Sequence, residues 1–261
     1  MKNIKQYITF SDFQIHLRRS GNSGFPIVLL HQTPLSSKMY DKTLPHLGER
    51  MQAFAFDTPG YGLSSPLGNI ISLKNYADRI YLAIERLGLK KFALAGFATG
   101  SALAITLAQD LGDRVTHLIL SGTPILSERE INFYSNNLPE FNIKHDGSHL
   151  VSIWKNRINS YGDEGGLEQI QMVLEESLSA TGKISAGLQA VINDNIEERL
   201  KLIKQKVLFL TLENDKLAYS NKKAFSMVNH AQEMVIYDSF PQYCWTHPKS
   251  YASIIFDFVL D

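Results

Sequence analysis

This sequence has a single cysteine, no excess of either charge, no long apolar run and no metal-binding spacing, and each lack removes a class of explanation. Cys244 has no partner in the chain, so no internal disulfide can form, which fits a reducing, cytoplasmic compartment. The 26 basic and 26 acidic side chains cancel, leaving no basic field to recruit a nucleic-acid backbone or anionic lipid. No apolar stretch approaches a membrane span, and the segment MKNIKQYITF at residues 1–10 lacks the continuous apolar core of a signal peptide. The eight histidines show neither H-E-x-x-H nor paired-cysteine spacing, and no G-x-G-x-x-G or G-K-[ST] fingerprint appears. No cofactor or metal is therefore expected. The expected partner is a small molecule, with neither nucleic acid nor membrane, and a homodimer stays open.

What is present is a globular balance: 261 residues, 44% hydrophobic and 20% charged. A chain of this length buries roughly 70 to 75% of its unfolded surface. Two N-terminal segments, 6–10 and 13–18, read as a hairpin. Apolar runs at 26–31 (PIVLLH), 52–57 (QAFAFD), 92–96 (FALAG) and 115–121 (VTHLILS) read as buried strands. Between them Leu73, Tyr76, Ala77, Ile80, Ile84 and Leu87 recur at helical spacing and stop before Gly88. After Thr123-Pro124 the alternation breaks for about eighty residues, where stretches such as 167–178 read as helices without strands. It resumes with a strand at 206–212, a helix around 222–228, a strand at 233–238 and a last helix from Pro248. This order specifies an α/β fold, a doubly wound and mostly parallel sheet covered on both faces.

Three motifs add to the pattern. His31-Gln32-Thr33-Pro34-Leu35-Ser36-Ser37 follows the first buried strand. Asp57-Thr58-Pro59-Gly60-Tyr61-Gly62-Leu63-Ser64 follows the next, and Gly96-Phe97-Ala98-Thr99-Gly100 makes a strand-to-helix turn with small residues at both ends. In order and spacing they resemble the H-G-x-P-x-S-S loop, the D-x-P-G-x-G-x-S turn and the nucleophile elbow of capped α/β-hydrolase-fold proteins. The resemblance implies an eight-stranded sheet, with 1–123 and 205–261 forming the core and 124–204 forming a helical cap inserted after the sixth strand.

The same resemblance implies a set of site residues. The backbone N–H groups of Thr33 and Thr99 stand where the family cradles negative charge on a carbonyl oxygen. Gln32 replaces the usual glycine, and its amide either crowds the loop, adds a donor or caps a turn. Asp57 and its following glycines are expected to shape a tight turn. Asp215, just past the seventh core strand, matches the histidine-orienting carboxylate.

Two departures stand out. The elbow centre is Ala98, and a methyl group cannot attack a carbonyl. Counting back seven residues from Pro248, which opens the last helix, the histidine position falls on Pro241 beside Gln242, and neither relays a proton. His247 sits at the expected N-cap, from which an unusual loop could still bring it to Asp215.

The remaining proton carriers are His31, Asp215, His247 and, from the cap, His145, His149 and Tyr161. The run from Asp146 to Leu150, with Trp154 close behind, is the most chemically dense part of the cap; it either faces the pocket or forms a turn leading into an amphipathic helix. Three readings stand. The first is an enzyme lacking the serine nucleophile, acting on a small, largely apolar carbonyl compound as a lyase, decarboxylase, isomerase or atypical hydrolase through a backbone oxyanion hole. The second is a serine ester, thioester or lactone hydrolase whose native serine has been replaced by Ala98. The third is a catalytically silent ligand-binding protein of the same fold.

Overall fold

The computed structural model describes residues 1–68, 71–138, 143–161, 166–180 and 184–261, with Tyr161 described by its backbone. Eight strands form one sheet in the order β1-β2-β4-β3-β5-β6-β7-β8. They are β1 (Ile4–Thr9), β2 (Gln14–Ser20), β3 (Phe25–Leu30), β4 (Met51–Phe56), β5 (Phe92–Phe97), β6 (Val115–Ser121), β7 (Lys206–Leu212) and β8 (Gln232–Ile236). β2 runs antiparallel to β1, its hairpin partner, and also to β4, and every other pairing is parallel.

Successive side chains of a strand point to opposite faces, and here both faces are apolar. Val28 and Leu30 of β3 join one core while Ile27 and Leu29 join the other; Leu94 and Ala95 of β5 divide the same way. The first core is closed by α2 (Leu73–Arg86), α3 (Thr99–Leu111) and α9 (Ala218–Phe225). On the opposite face lie a short 3-10 turn (Ser37–Tyr40), α1 (Leu44–Leu47), α10 (Tyr243–Thr246) and α11 (Pro248–Leu260).

Between β6 and β7 the described residues form helices only: α4 (Glu128–Asn136), α5 (Ser148–Tyr161), α6 (Gly166–Ser179), α7 (Ala186–Ile192) and α8 (Ile196–Lys201). This insertion is tied to the core. Lys38 Nζ meets Glu175 Oε2 at 2.6 Å and Lys42 Nζ meets Glu168 Oε2 at 2.7 Å. In the buried part of the contact, Gln169 Nε2 donates to the Pro241 carbonyl at 2.9 Å and to Gln242 Oε1 at 2.8 Å. Among the described residues no helix is long and apolar enough to cross a membrane.

Candidate active site

Parallel strands end together, and the loops after β3, β5, β6, β7 and β8 meet the helical insertion around one cavity of about 350 Å³. Gln32, Thr33, Ala98, Thr99, Asp215 and Pro241 all line it.

The turn after β5 holds Ala98 at φ 52° and ψ −114°, a left-handed conformation that costs a non-glycine residue about 1–3 kcal/mol. Its neighbours over-determine it. The Ala98 N–H donates to the Ser121 carbonyl at 2.9 Å, and the Ala98 carbonyl accepts from the Ser101 and Ala102 amides. Close approach fixes the flanking glycines: a Cβ on Gly96 would collide with the Gly100 carbonyl, and one on Gly100 with the Leu30 carbonyl. The elbow is thus fully built, with a methyl group at its centre.

Thr99 is the first residue of α3, so its N–H has no acceptor inside the helix. Among the described residues neither that amide nor the Thr33 amide has any backbone acceptor. The two threonine hydroxyls bridge the loops at 2.9 Å. Behind them the Tyr61 hydroxyl accepts from the Gly187 N–H at 2.8 Å and hydrogen-bonds to the Thr33 and Tyr76 side chains. Burial raises the pKa of both tyrosines, so these hydroxyls keep their protons. Gly187 belongs to α7, and a Cβ there would collide with the Thr33 side chain. The insertion therefore rests directly on the Thr33–Thr99 pair.

Asp215 follows β7. Its Oδ1 accepts from the Leu217 amide at 2.9 Å, whereas Oδ2 is closed off from solvent and has no hydrogen-bond partner among the described residues. Burial pushes its pKa up to about 6, against the opposing pull of the Leu217 amide and the Lys216 charge. Gly122 leaves room beside it: a Cβ there would stand 3.3 Å from Oδ2.

The position expected for a histidine is filled by Pro241, which lines the cavity and offers no N–H. Gln242, at φ 58°, is buried with its Oε1 accepting from Gln169, so the loop is locked in this form. His247 does not join Asp215. It is exposed at the head of α11, stacked on Tyr243 with ring centroids 4.6 Å apart, its Nδ1 3.0 Å from the Thr246 hydroxyl. The expectation that His247 is catalytic is corrected accordingly: the helix start at Pro248 fixes the preceding residue outside the cavity.

Three further expectations change. His31 is fully buried, with Nε2 accepting the Thr58 amide at 2.9 Å and Nδ1 placed 2.9 Å from the Gln32 carbonyl, to which it must donate. Burial lowers its pKa, so it is a neutral strut between two loops and no proton carrier. His149 takes the Lys144 amide at 3.1 Å, away from the cavity lining. Trp154 packs with Ile158 against the core rather than lining the cavity. Of the other carriers, His145 is exposed, and the side chain of Tyr161 lies outside the described residues.

Asp57 is structural, as its motif suggests. Oδ1 accepts the Ser37 amide at 2.7 Å, Oδ2 accepts the Leu63 amide at 2.9 Å, and His16 Nδ1 stands 2.7 Å from Oδ2. Burial opposes its ionisation, yet the His16 and Ser37 hydrogen bonds hold its carboxyl below the usual range.

Sequence reasoning missed Tyr134, Arg157, Ser160 and Lys216, all of which line the cavity. Arg157 and Ser160 are three apart on α5 and share a face, while Trp154 and Ile158, four apart, share the inward one. That i, i+3 polar pair beside an i, i+4 apolar pair is the signal that could have found them.

A family model for the alpha/beta hydrolase fold matches residues 26–147. An esterase from Thermogutta terrifontis, solved with malate bound, superposes with a TM-score of 0.80 at 19% identity, covering 100% of this chain and 98% of that one. This chain has the α/β-hydrolase fold. A hydrolase from Pseudomonas aeruginosa PA01 matches this α/β-hydrolase-fold chain with the same TM-score at 15% identity, covering 98% of each. By sequence, the chain is 31% identical over 133 residues to a pimeloyl-[acyl-carrier protein] methyl ester esterase of Legionella pneumophila (strain Corby). That match spans 47% of this chain and 52% of the relative, about half of each. The AB hydrolase superfamily protein YisY of Bacillus subtilis (strain 168) is 29% identical over 210 residues, covering 75% of this chain and 76% of that protein.

Proposed function

We propose that this chain is an acid–base enzyme that moves a proton on a small, largely apolar carbonyl compound without forming an acyl-enzyme, which makes it a lyase or isomerase rather than a serine hydrolase. The observation that carries the reading is Asp215: a cavity-lining residue whose Oδ2 has no hydrogen-bond partner among the described residues, in the same cavity as two amides that have no backbone acceptor among them. With a pKa near 6, Asp215 is ionised at neutral pH and still basic enough to accept a proton. In the proposed step the Asp215 carboxylate takes a proton from the carbon beside the substrate carbonyl. The C–H bond breaks, an O–H bond forms on Asp215, and the electron pair moves onto the carbonyl oxygen. The Thr33 and Thr99 amides receive that charge, a contribution of about 3 kcal/mol per well-placed donor. The proton then returns to another carbon, or the enolate expels a leaving group.

The serine-hydrolase reading needs both a hydroxyl at residue 98 and an imidazole between it and Asp215, and Pro241 and the exposed His247 speak against the second requirement. The test is hydrogen–deuterium exchange in D2O followed by proton NMR on acetylacetone, ethyl acetoacetate and benzylacetone. Acceleration that disappears in Asp215→Asn, with circular dichroism unchanged, is the expected outcome. Equal acceleration by the variant would remove the assignment. Stabilisation by these compounds with no exchange over long incubation would instead favour the silent binding protein.

A further inference from the structure

The cavity wall opposite in charge to Asp215 has no role in the proton transfer above. Resting on that reading for the reaction, we propose that the substrate carries a carboxylate and that Arg157 and Lys216 hold it. Four other arginines of the chain are paired: Arg18 with Asp41, Arg79 with Asp12, Arg114 with Glu85 and Arg199 with Asp194. Arg157 is half-buried in the cavity lining and has no carboxylate or other hydrogen-bond partner among the described residues. Lys216 is brought to the same wall. Its Nζ donates to Ser160 Oγ at 3.1 Å, and Ser160, whose own proton goes to the Asn156 carbonyl at 2.8 Å, sits one turn along α5 from Arg157.

Two cations therefore face a cavity whose described lining residues include one acid, Asp215, although the chain as a whole is neutral. The rest of the wall is mainly apolar, with Leu126, Leu188 and Val191 among its residues. A guanidinium in such surroundings needs an anion, and its planar fork matches a carboxylate through two parallel hydrogen bonds. The ligand that fits is an apolar acyl or aryl body ending in a carboxylate. The carboxylate is a binding handle, distinct from the carbonyl that reacts.

Calorimetric titration of the purified full chain with hydrocinnamate, phenylbutyrate and hexanoate, each against its methyl ester, tests this. At least one acid is expected to bind about tenfold or more tightly than its ester. Arg157→Gln should erase that preference and leave ester binding unchanged, and Lys216→Gln should reduce it. Lys216 is exposed and Arg157 half-buried, and neither belongs to the apolar core, so both variants are expected to fold. Asp215→Asn, which disables the proposed proton transfer, should keep the preference for the acid; the binding handle and the base therefore fail separately. Equal affinity for acids and esters, or an Arg157→Gln variant that still prefers the acid, would overturn the proposal.

Discussion

Replacing Asp215 with asparagine should make the protein more stable above pH 6 while abolishing its proton chemistry. In the folded chain burial raises this carboxyl from its ordinary 3.8 to about 6. The folded state therefore holds the proton more tightly than the unfolded state, and unfolding releases protons between those values. The stability linked to the protonated form is complete below about pH 4 and is lost as pH rises through about 6. At 1.36 kcal/mol per pH unit the loss is about 3 kcal/mol, an upper bound because the site borders a cavity that admits water. Asparagine has the same shape, keeps an oxygen for the Leu217 amide and cannot ionise. At pH 8 it should raise the melting temperature by several degrees, at roughly 2–4 °C per kcal/mol for a chain of this size. At pH 4 it should change little. Calorimetric melting of both proteins across pH 4 to 8 reads this directly. A variant that melts below the wild type at pH 8 would show that the ionised carboxylate has a partner, and the argument from an orphaned Oδ2 would fail. Activity has the opposite sign: the base must be ionised, so exchange should rise with pH through about 6 and be lost below it.

Other outcomes follow from the same geometry. Ala98→Ser should not be labelled by a fluorophosphonate, because no imidazole reaches residue 98; rapid labelling would restore the hydrolase reading. Gly100→Ala should cost about 3 kcal/mol in urea unfolding, since its Cβ would strike the Leu30 carbonyl, and a cost near zero would contradict the close packing of α3 on β3. Gly187→Ala should displace the Thr33–Thr99 pair and slow proton exchange by about a hundredfold, whereas an unchanged rate would show that α7 does not set the position of those donors.

The layered architecture was legible from the chain because the inner strands β3 to β7 are largely apolar on both faces and bounded by turn residues, so period and order sufficed. The elbow was legible for a sharper reason: only small residues fit at 96 and 100, and the Leu30 and Gly100 carbonyls say why. Counting back from Pro248 points to Pro241, and Pro241 does line the cavity. The site walls were not legible. His31 reads as a reactive imidazole until Thr58, 27 residues away, supplies the amide that occupies it. The run from Asp146 to Leu150, with Trp154 close behind, is chemically dense in sequence, yet the phase of α5 turns Trp154 to the core and Arg157 and Ser160 to the cavity. Lys216 is an ordinary loop lysine in sequence, and only its reach across to Ser160 places it on that wall.

The central claim, that a solitary buried carboxyl replaces the serine–histidine pair, is tested most directly by carbon-13 NMR titration of the Asp215 carboxyl, assigned by its disappearance in Asp215→Asn. The account predicts a midpoint near 6, the value that burial without a partner imposes. A midpoint at or below the ordinary aspartate value of about 4 would contradict it, because a carboxylate so easily ionised has found a hydrogen-bond donor and is no longer free to take a proton.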